Sequence, residues 1–374
     1  MIRAFLLLLA VFSLSVSAAV PKPPSVVGKA WMVGDLTGGQ LLASYKPEER
    51  FEPASLTKLM TAYVVFSALR ERKLSLEQRV NVSPRAVKAP GGRMFLDPRR
   101  PVTIDELIRG MVVQSANDGC IVLADAVAGS EDAFARLMNR EAARLGMKNT
   151  RFMNATGLPD AQHYSTAQDL YLLAAALIRD FPNEYAQYYS QKEFRYNNIS
   201  QPNSNRLLWV DPSVDGVKTG HTEAAGYCLI ASSRRGGRRL LSVLLGATSE
   251  AARAQESLKL LNWGYQFYDS VKLYSAATPV KQIEVWKGAA RHVNVGVGSD
   301  LFVTVPKGEA EKLQAELVSQ QPLEAPLTKG QRVGVLRVTY DGKPFGEYPL
   351  VALEPVAQAG LFGRTWDTLR LWLK

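Results

Sequence analysis

The chain has 374 residues, of which 47% are hydrophobic and 21% are charged, and its net charge at pH 7 is +10. This length predicts about two to three folded units, and the composition excludes a mainly disordered or fibrous protein. Two cysteines, Cys120 and Cys228, lie outside any Cys/His cluster, so we expect neither a disulfide framework nor a metal or organic cofactor. The positive charge favours anionic surroundings.

Residues 1–19 have the features of an export signal. Arg3 supplies a positive start, an apolar run covers residues 4–16, and small residues precede a cleavage position after Ala19. The alternative is a retained membrane-spanning helix, but the run is shorter than the roughly 20 residues that a bilayer requires. We therefore expect a mature chain that begins near Val20, acts outside the cytoplasm and has no nucleic-acid partner.

The first candidate for chemistry is a Ser-x-x-Lys motif, Ser55 and Lys58, in a helix predicted from about Phe51 to Arg70. A separation of three residues places both side chains on one helix face, within reach of a hydrogen bond. Apolar neighbours would bury the amine and disfavour its charged form, so that it could accept the serine proton. Alone, the motif is short enough to occur by chance.

The second motif is Ser-x-Asn, formed by Ser115 and Asn117 between a predicted helix at residues 103–108 and another at residues 119–127. A hydroxyl and an amide at such a break in regular structure can face a site. They can equally cap the second helix, which is the more common use of these residue types. This motif by itself therefore favours the cap.

The third motif is Lys-Thr-Gly, which comprises Lys218, Thr219 and Gly220 and is followed by His221. A β-type run at residues 226–231 predicts that Lys218 lies on a strand at the edge of a sheet. Gly220 has no side chain, as expected where the backbone of another molecule must lie close to the strand.

Each motif occurs once and in this order, a combination that chance matches hardly supply. From about Ala30 to Lys374 the chain resembles the low-molecular-mass penicillin-binding proteins that act as serine D-alanyl-D-alanine carboxypeptidases, the peptidase S11 family. The resemblance includes an opening hairpin at residues 30–43 and a loop at residues 93–96 that borders the site. It implies an α/β catalytic domain of the serine β-lactamase and penicillin-binding-protein type, with an antiparallel sheet flanked by helices. A small β-rich domain and a C-terminal amphipathic helix would follow.

The resemblance also implies an activity, the removal of the terminal D-alanine from peptidoglycan stem pentapeptides during cell wall remodelling. β-Lactam antibiotics would acylate the same serine. Neutral Lys58 would take the proton of Ser55 as Oγ attacks the carbonyl carbon. The backbone N–H groups of Ser55 and His221 would hold the oxyanion, and Ser115 would relay a proton to the leaving amine.

Further residues are assigned to substrate binding by the same resemblance. Asn117 would hold the peptide amide. The terminal carboxylate would lie against Lys218, Thr219 and Gly220. Arg253 would add positive charge nearby, and the alternative for this residue is an arginine that points into solvent.

Three other functions remain open. A D,D-endopeptidase would use the same residues on cross-links. A β-lactamase would use a glutamate to activate water. However, Glu131 and Glu141 lie outside the Glu-x-x-Leu-Asn setting of such enzymes, and we interpret them as exposed charges on a helix at residues 131–145. The third function is that of an inactive module that binds the cell wall. The presence of all three motifs argues against this function.

The catalytic domain is predicted to span residues 20–274 and to end after a helix at residues 251–269. A small-residue linker follows, and the hydrophobic period then changes from helical to alternating, which predicts a β-rich domain at residues 279–355. The hairpin signal Asp341-Gly342 supports this interpretation. Short strands are predicted at residues 282–286, 293–297, 301–305, 333–338 and 348–353.

The last residues, Ala357 to Lys374, predict an amphipathic helix. Within an arc of about 140° lie six large apolar side chains: Leu361, Phe362, Trp366, Leu369, Trp372 and Leu373. Charged residues occupy the opposite side, a pattern typical of a helix in a bilayer interface, and the net positive charge attracts anionic lipid. The alternative is a helix that packs onto the β-rich domain. We expect a peripheral enzyme on the periplasmic face of the inner membrane.

Overall fold

The computed structural model describes residues 20–372, and the export signal expected at residues 1–19 lies outside them. The chain forms two compact units. The larger unit comprises Pro23–Thr278 with Ser299–Thr304, and the smaller unit comprises Pro279–Gly298 and the chain from Val305 onward. In the described part, no helix is long and apolar enough to cross a bilayer, and no group of three or more His, Cys, Asp or Glu could hold a metal ion.

The helices and strands follow in chain order. The first part of the chain contains β1 (Ala30–Asp35), β2 (Gln40–Tyr45), α1 (Lys58–Arg70), β3 (Arg79–Val80), α2 (Pro84–Val87), β4 (Val102–Thr103), α3 (Ile104–Val113), α4 (Asn117–Ala128), α5 (Glu131–Arg144), α6 (Ala167–Asp180), α7 (Pro182–Tyr188), β5 (Glu193–Tyr196), β6 (Ile199–Pro202), α8 (Leu207–Val210), β7 (Val214–Thr222), β8 (Gly226–Arg235), β9 (Arg238–Ala247), α9 (Glu250–Phe267) and β10 (Tyr268–Tyr274). The chain continues through β11 (Lys281–Glu284), β12 (His292–Gly296), β13 (Leu301–Pro306), β14 (Leu313–Ser319), β15 (Arg332–Tyr340), β16 (Lys343–Ala352) and α10 (Leu361–Trp372).

The larger unit is built on a five-stranded antiparallel sheet with the strand order β2-β1-β9-β8-β7. Successive residues of β8 face opposite sides, so that Leu229 packs with Leu261 of α9, whereas Ile230 joins the large core that contains α1 and α6. Because helices cover both faces, β8 and β9 are apolar over most of their length. The expected antiparallel sheet flanked by helices is confirmed, with β7 at its edge.

The helix expected from about Phe51 begins later and in two parts. A 3₁₀ turn covers Ala54–Thr57, and α1 continues from Lys58 with nearly every residue buried. Ala54 has a φ of +48°, which is uncommon for a residue with a side chain. Gly157, with a φ of +84°, lies against it so closely that an added Cβ would be 1.8 Å from the Ala54 carbonyl oxygen. This close approach fixes the turn that carries Ser55.

The smaller unit contains a second five-stranded sheet, with the order β11-β12-β16-β15-β14. Its core is formed mainly by valine and leucine side chains on the inner strands. Asp341 and Gly342 have φ values of 50° and 73°, as the hairpin signal predicts. The sequence analysis missed β14, whose residues do not alternate cleanly between buried and exposed. The predicted β-rich fold and the C-terminal helix are both present.

We expect Gly157→Ala to lower the melting temperature of the larger unit much more than Gly129→Ala. Both glycines have positive φ values, +84° and +75°, which cost a residue with a side chain about 1–2 kcal/mol. Only at Gly157 would the added carbon meet other atoms within 4 Å. Thermal unfolding followed by circular dichroism checks this, and equal losses in the two variants would contradict a special role for the contact with Ala54.

Candidate active site

Ser55 and Lys58 lie on either side of the junction between the 3₁₀ turn and α1. One helical turn separates them, and Lys58 Nζ lies 3.0 Å from Ser55 Oγ. Because α1 runs through the core, Lys58 is only 1% exposed. The structure therefore places the hydroxyl and the amine within hydrogen-bond distance, in surroundings that exclude most water.

Two further oxygens contact this amine. Asn117 Oδ1 lies 2.7 Å and the Thr156 carbonyl oxygen 2.5 Å from Lys58 Nζ. The Asn117 amide can be oriented because its Nδ2 donates to the carbonyl of Pro90, which can only accept. Asn117 Oδ1 and the Thr156 oxygen can thus take two N–H groups of the amine. A neutral amine in this arrangement keeps its lone pair for the Ser55 hydroxyl.

The electrostatics favour that neutral form. Burial lowers the pKa of Lys58 below its usual range, because the charged form loses its hydration. Burial also raises the pKa of the nearby Cys120 thiol to about 12, so this group is neutral at physiological pH and supplies no counter-charge. The pKa of Lys218 is lowered well below its usual range, first by burial and then by the positive charge of Lys58. The two amines therefore disfavour simultaneous protonation.

The second and third motifs meet here. Lys218 Nζ donates to Ser115 Oγ at 3.0 Å and lies 3.1 Å from the Thr219 carbonyl oxygen. Ser115 has a φ of +57° and lies between α3 and α4. The N-cap of α4 is Ala116, and no side chain caps it. Hence neither Ser115 nor Asn117 has the capping role that the simpler interpretation of this motif favoured.

The Lys-Thr-Gly motif lies in β7, the edge strand, where Lys218 and Thr219 are both buried. Gly220 was expected to leave space for the backbone of another molecule. In the structure, a side chain at Gly220 would approach Ala54 and Leu56 to 3.3 Å. The glycine therefore makes room for the 3₁₀ turn, and this contact brings β7 close to the serine.

Arg253, on α9, is 6% exposed, so the alternative of an arginine pointing into solvent is wrong. Its guanidinium donates to Glu250 at 2.9 Å and lies over the ring of Tyr227. The Tyr227 ring centroid is in turn 4.1 Å from that of His221, which is exposed. The positive charge of Arg253 contributes to the lowered pKa of Lys218. Arg253 thus adds a positive field at the Lys218 side of the site.

The sequence did not predict most of the backbone hydrogen bonds that hold the site residues in place. The loop at residues 90–96 is fastened to the start of α4, where the Gly92 carbonyl accepts from Asn117 N at 2.7 Å. The carboxylate of Asp118 accepts from two N–H groups of the same loop. Asp118 directly follows the Ser-x-Asn motif in the sequence, and this position could have indicated that its carboxylate holds a neighbouring loop. Thr156, in contrast, contributes a carbonyl that no sequence pattern marks.

Glu131 is not the exposed helix charge that we expected. Its side chain is 14% exposed and pairs with Arg85 at 2.6 Å. The other carboxylate oxygen accepts from the backbone N–H of Ala155 at 3.0 Å. Because Ala155 directly precedes Thr156, this carboxylate supports the loop that provides an acceptor for Lys58.

The chain is similar to known proteins over most of its length. A family model for D-alanyl-D-alanine carboxypeptidase, peptidase S11, matches residues 17–249, and one for the C-terminal domain of penicillin-binding protein 5 matches residues 268–358. The chain is 44% identical to the D-alanyl-D-alanine carboxypeptidase DacC of Escherichia coli, over 97% of this chain and 92% of the relative. Among solved structures, penicillin-binding protein 5 of Haemophilus influenzae is 37% identical with a TM-score of 0.84, over 90% of this chain and 100% of the other. Penicillin-binding protein D2 of Listeria monocytogenes, solved in an ampicillin-bound form, is 30% identical with a TM-score of 0.60, over 66% and 100% of the respective chains.

We expect the rate at which labelled penicillin acylates the chain to rise with pH and to level off below pH 10.5, because burial lowers the pKa of Lys58 from that value. Lys58→Arg should abolish the adduct, since a guanidinium stays protonated. The exposed Lys73→Arg is the matched control and should react like the wild type. Gel fluorescence over a pH series measures these rates. A reactive Lys58→Arg, or a rate still rising above pH 10.5, would contradict a neutral Lys58 base.

Proposed function

Because the chain belongs to the D-alanyl-D-alanine carboxypeptidase family, peptidase S11, we propose that Ser55 is the nucleophile with which it removes the terminal D-alanine from peptidoglycan stem pentapeptides. The chain is a serine-type D-alanyl-D-alanine carboxypeptidase and a penicillin-binding protein. The assignment to Ser55 rests on one observation. The Lys58 amine can give its two N–H groups to Asn117 Oδ1 and the Thr156 carbonyl, which leaves its lone pair for the Ser55 hydroxyl.

In the proposed acylation, Lys58 Nζ accepts the hydroxyl proton while Ser55 Oγ forms a bond to the carbonyl carbon between the two D-alanines. The carbonyl oxygen takes up the negative charge, next to the backbone N–H groups of Ser55 and His221. As the tetrahedral intermediate collapses, its C–N bond breaks. Ser115 gives a proton to the leaving nitrogen, and the proton held by Lys58 replaces it. An ester on Ser55 and free D-alanine result.

In the proposed deacylation Lys58 is again the base, and water takes the place of Ser55 as the attacking group. Neutral Lys58 accepts a proton from the water, whose oxygen attacks the ester carbon. The bond between that carbon and Ser55 Oγ then breaks, and Oγ takes the proton held by Lys58. The shortened peptide leaves as a carboxylic acid that loses its proton to solvent, and the site returns to its starting state.

The positive side of the site is proposed to hold the terminal carboxylate of the substrate. Lys218 and Thr219 would contact it directly, and Arg253 would add longer-range attraction. Asn117 already uses one donor toward Pro90 and one acceptor site toward Lys58, so that one donor and one lone pair remain for a peptide amide. Asn117 would thus orient the base and the substrate together.

The rival interpretations are weaker. A β-lactamase needs a glutamate that activates water, but Glu131, which faces the Thr156 loop, has its carboxylate engaged by Arg85 and the Ala155 N–H. We therefore expect slow hydrolysis of a penicillin adduct. A D,D-endopeptidase would use the same residues, and only its products would differ. An inactive wall-binding module would not require a buried amine directed at a serine hydroxyl.

We further propose that the chain is exported by its N-terminal signal and attached to the periplasmic face of the inner membrane by α10. On this helix Leu361, Phe362, Trp366, Leu369 and Trp372 all have exposed side chains, which is uncommon for a cluster of large apolar groups. An amphipathic helix of this kind binds by burying its apolar face in the headgroup region.

The opposite side of α10 contacts the smaller unit. Asp367 Oδ2 accepts from the Lys287 backbone N–H at 2.7 Å, and the Arg370 guanidinium lies 5.3 Å from the ring centroid of the buried Trp286. The helix thus packs onto the β-rich unit, as the alternative expected, but it does so through its polar side. The apolar side stays available for lipid.

Incubation with a pentapeptide muropeptide should give a product lighter by one alanine, and Ser55→Ala should abolish this product and the penicillin adduct. The substitution removes the hydroxyl that would attack the carbonyl carbon, so no acyl-enzyme can form. Because it removes no other atom, we expect the fold to be retained. Mass spectrometry and circular dichroism measure the two effects. Ser257→Ala, at another buried serine, is the control and should remain active. An active Ser55→Ala protein would show that the nucleophile is a different group.

Truncation after Val356 should release active enzyme from anionic lipid vesicles, because it removes α10 as a whole. Leu369→Glu and Leu371→Glu provide a matched pair in the full chain, since they introduce the same charge on the apolar side and on the opposite side of the helix. We expect only Leu369→Glu to weaken sedimentation with vesicles severely. A truncated protein that still sediments would refute this anchor.

A further inference from the structure

A buried histidine outside the three motifs connects two segments of the site. His163 is 3% exposed and lies in the connection before α6. Its Nε2 is 3.0 Å from Thr57 Oγ1, and its Nδ1 is 3.4 Å from the backbone N of Met153. The ring of Phe152 meets it edge-on, with centroids 5.7 Å apart. The imidazole therefore bridges the 3₁₀ turn and the loop that begins at Met153.

The two partners determine the tautomer. The Met153 N–H can only donate, so Nδ1 of His163 must accept and carries no proton. The proton of a neutral ring then lies on Nε2 and is donated to the hydroxyl of Thr57. Burial lowers the pKa of His163 to about 4, and the carboxylate of Asp160 only partly opposes this effect. The neutral bridging form is therefore the form present at neutral pH.

Both bridged segments carry parts of the mechanism. Thr57 lies between the serine and the lysine of the first motif and is fully buried. Met153 begins the segment whose Thr156 carbonyl contacts Lys58 Nζ, and a Cβ added at Gly157 would lie 2.9 Å from Thr57 Oγ1. We propose that His163 is a positioning residue, whose neutral ring holds the loop against the turn and thereby fixes Lys58 between Ser55 and its acceptors. This inference rests on the proposed function of Ser55 and Lys58.

The loop has other attachments, so the loss of the ring should loosen it without unfolding it. Glu131 accepts from the Ala155 N–H, and the Thr61 hydroxyl donates to the Ala155 carbonyl at 2.6 Å. These bonds hold the middle of the loop against α5 and α1. They do not reach Thr57. In the described part of the chain, the only hydrogen bond of the Thr57 hydroxyl is the one with His163.

The test compares two amides at position 163. A glutamine side chain can place its Nε2 where the ring has Nε2, whereas an asparagine reaches only the position of Nδ1. We expect His163→Asn to lower the second-order rate of acylation by labelled penicillin by about tenfold or more, as small misplacements of reacting groups do. We expect His163→Gln to recover most of the rate. His292→Asn, at an exposed histidine in the smaller unit, is the matched control.

Two additional measurements separate positioning from simple loss of stability. His163→Asn should move the pH of half-maximal acylation, because the contacts of Lys58 change, whereas a smaller folded fraction would lower the rate equally at every pH. Thr57→Val removes the same hydrogen bond from the other side, so that the double variant with His163→Asn should be no slower than either single variant.

The outcomes are distinguishable. If the wild type forms no penicillin adduct, the proposed function itself fails. If the wild type reacts and His163→Asn or Thr57→Val reacts at the same rate, the positioning role is wrong. A double variant whose losses multiply would also overturn it, because the two side chains would then act independently. Thermal unfolding of each variant shows that the comparison is made on folded protein, and Thr57→Val decides the question if His163→Asn does not fold.

Discussion

The architecture of the site depends on one buried amine. A charged lysine without hydration is costly, so the burial of Lys58 among apolar walls lowers its pKa and favours the neutral amine, whose lone pair can accept a proton. These acceptors come from far along the chain, with Asn117 59 residues and Thr156 98 residues away. Helical spacing brings Lys58 close to Ser55, but only the tertiary structure brings the other two oxygens into hydrogen-bond distance of the Lys58 nitrogen.

A second buried lysine makes the site a coupled system. Lys218 contacts Ser115, and its pKa is lowered first by burial and then by the positive charges of Lys58 and Arg253. In the proposed acylation, the proton that Lys58 takes up would lower the proton affinity of Lys218 further. The hydroxyl of Ser115, the proposed proton donor to the leaving group, accepts a hydrogen bond from this second amine.

The sequence predicted the contacts that follow from the spacing of residues within one helix or strand. It did not predict the contacts that depend on how distant segments of the backbone come together. The pairing of Ser55 with Lys58 comes from helix geometry, and the edge position of β7 follows from the pattern around Lys218. The Thr156 carbonyl could not be predicted, because every residue has a carbonyl and only the fold selects one. The exposed charge assigned to Glu131 was wrong because helical periodicity cannot reveal a partner from a distant loop. Strand β14 was missed since an edge strand of mixed burial lacks the alternation used to find strands.

The way α10 is held has a geometric consequence. Asp367 and Arg370 contact the smaller unit from the side of the helix opposite its apolar surface, and these contacts oppose rotation of the helix about its own axis. A lipid surface that accepts the helix would then also fix the tilt of the β-rich unit above the headgroups. A protein attached in this way would diffuse in two dimensions along the membrane and would meet stem peptides there. The β-rich unit would keep one orientation to the membrane while the protein moves.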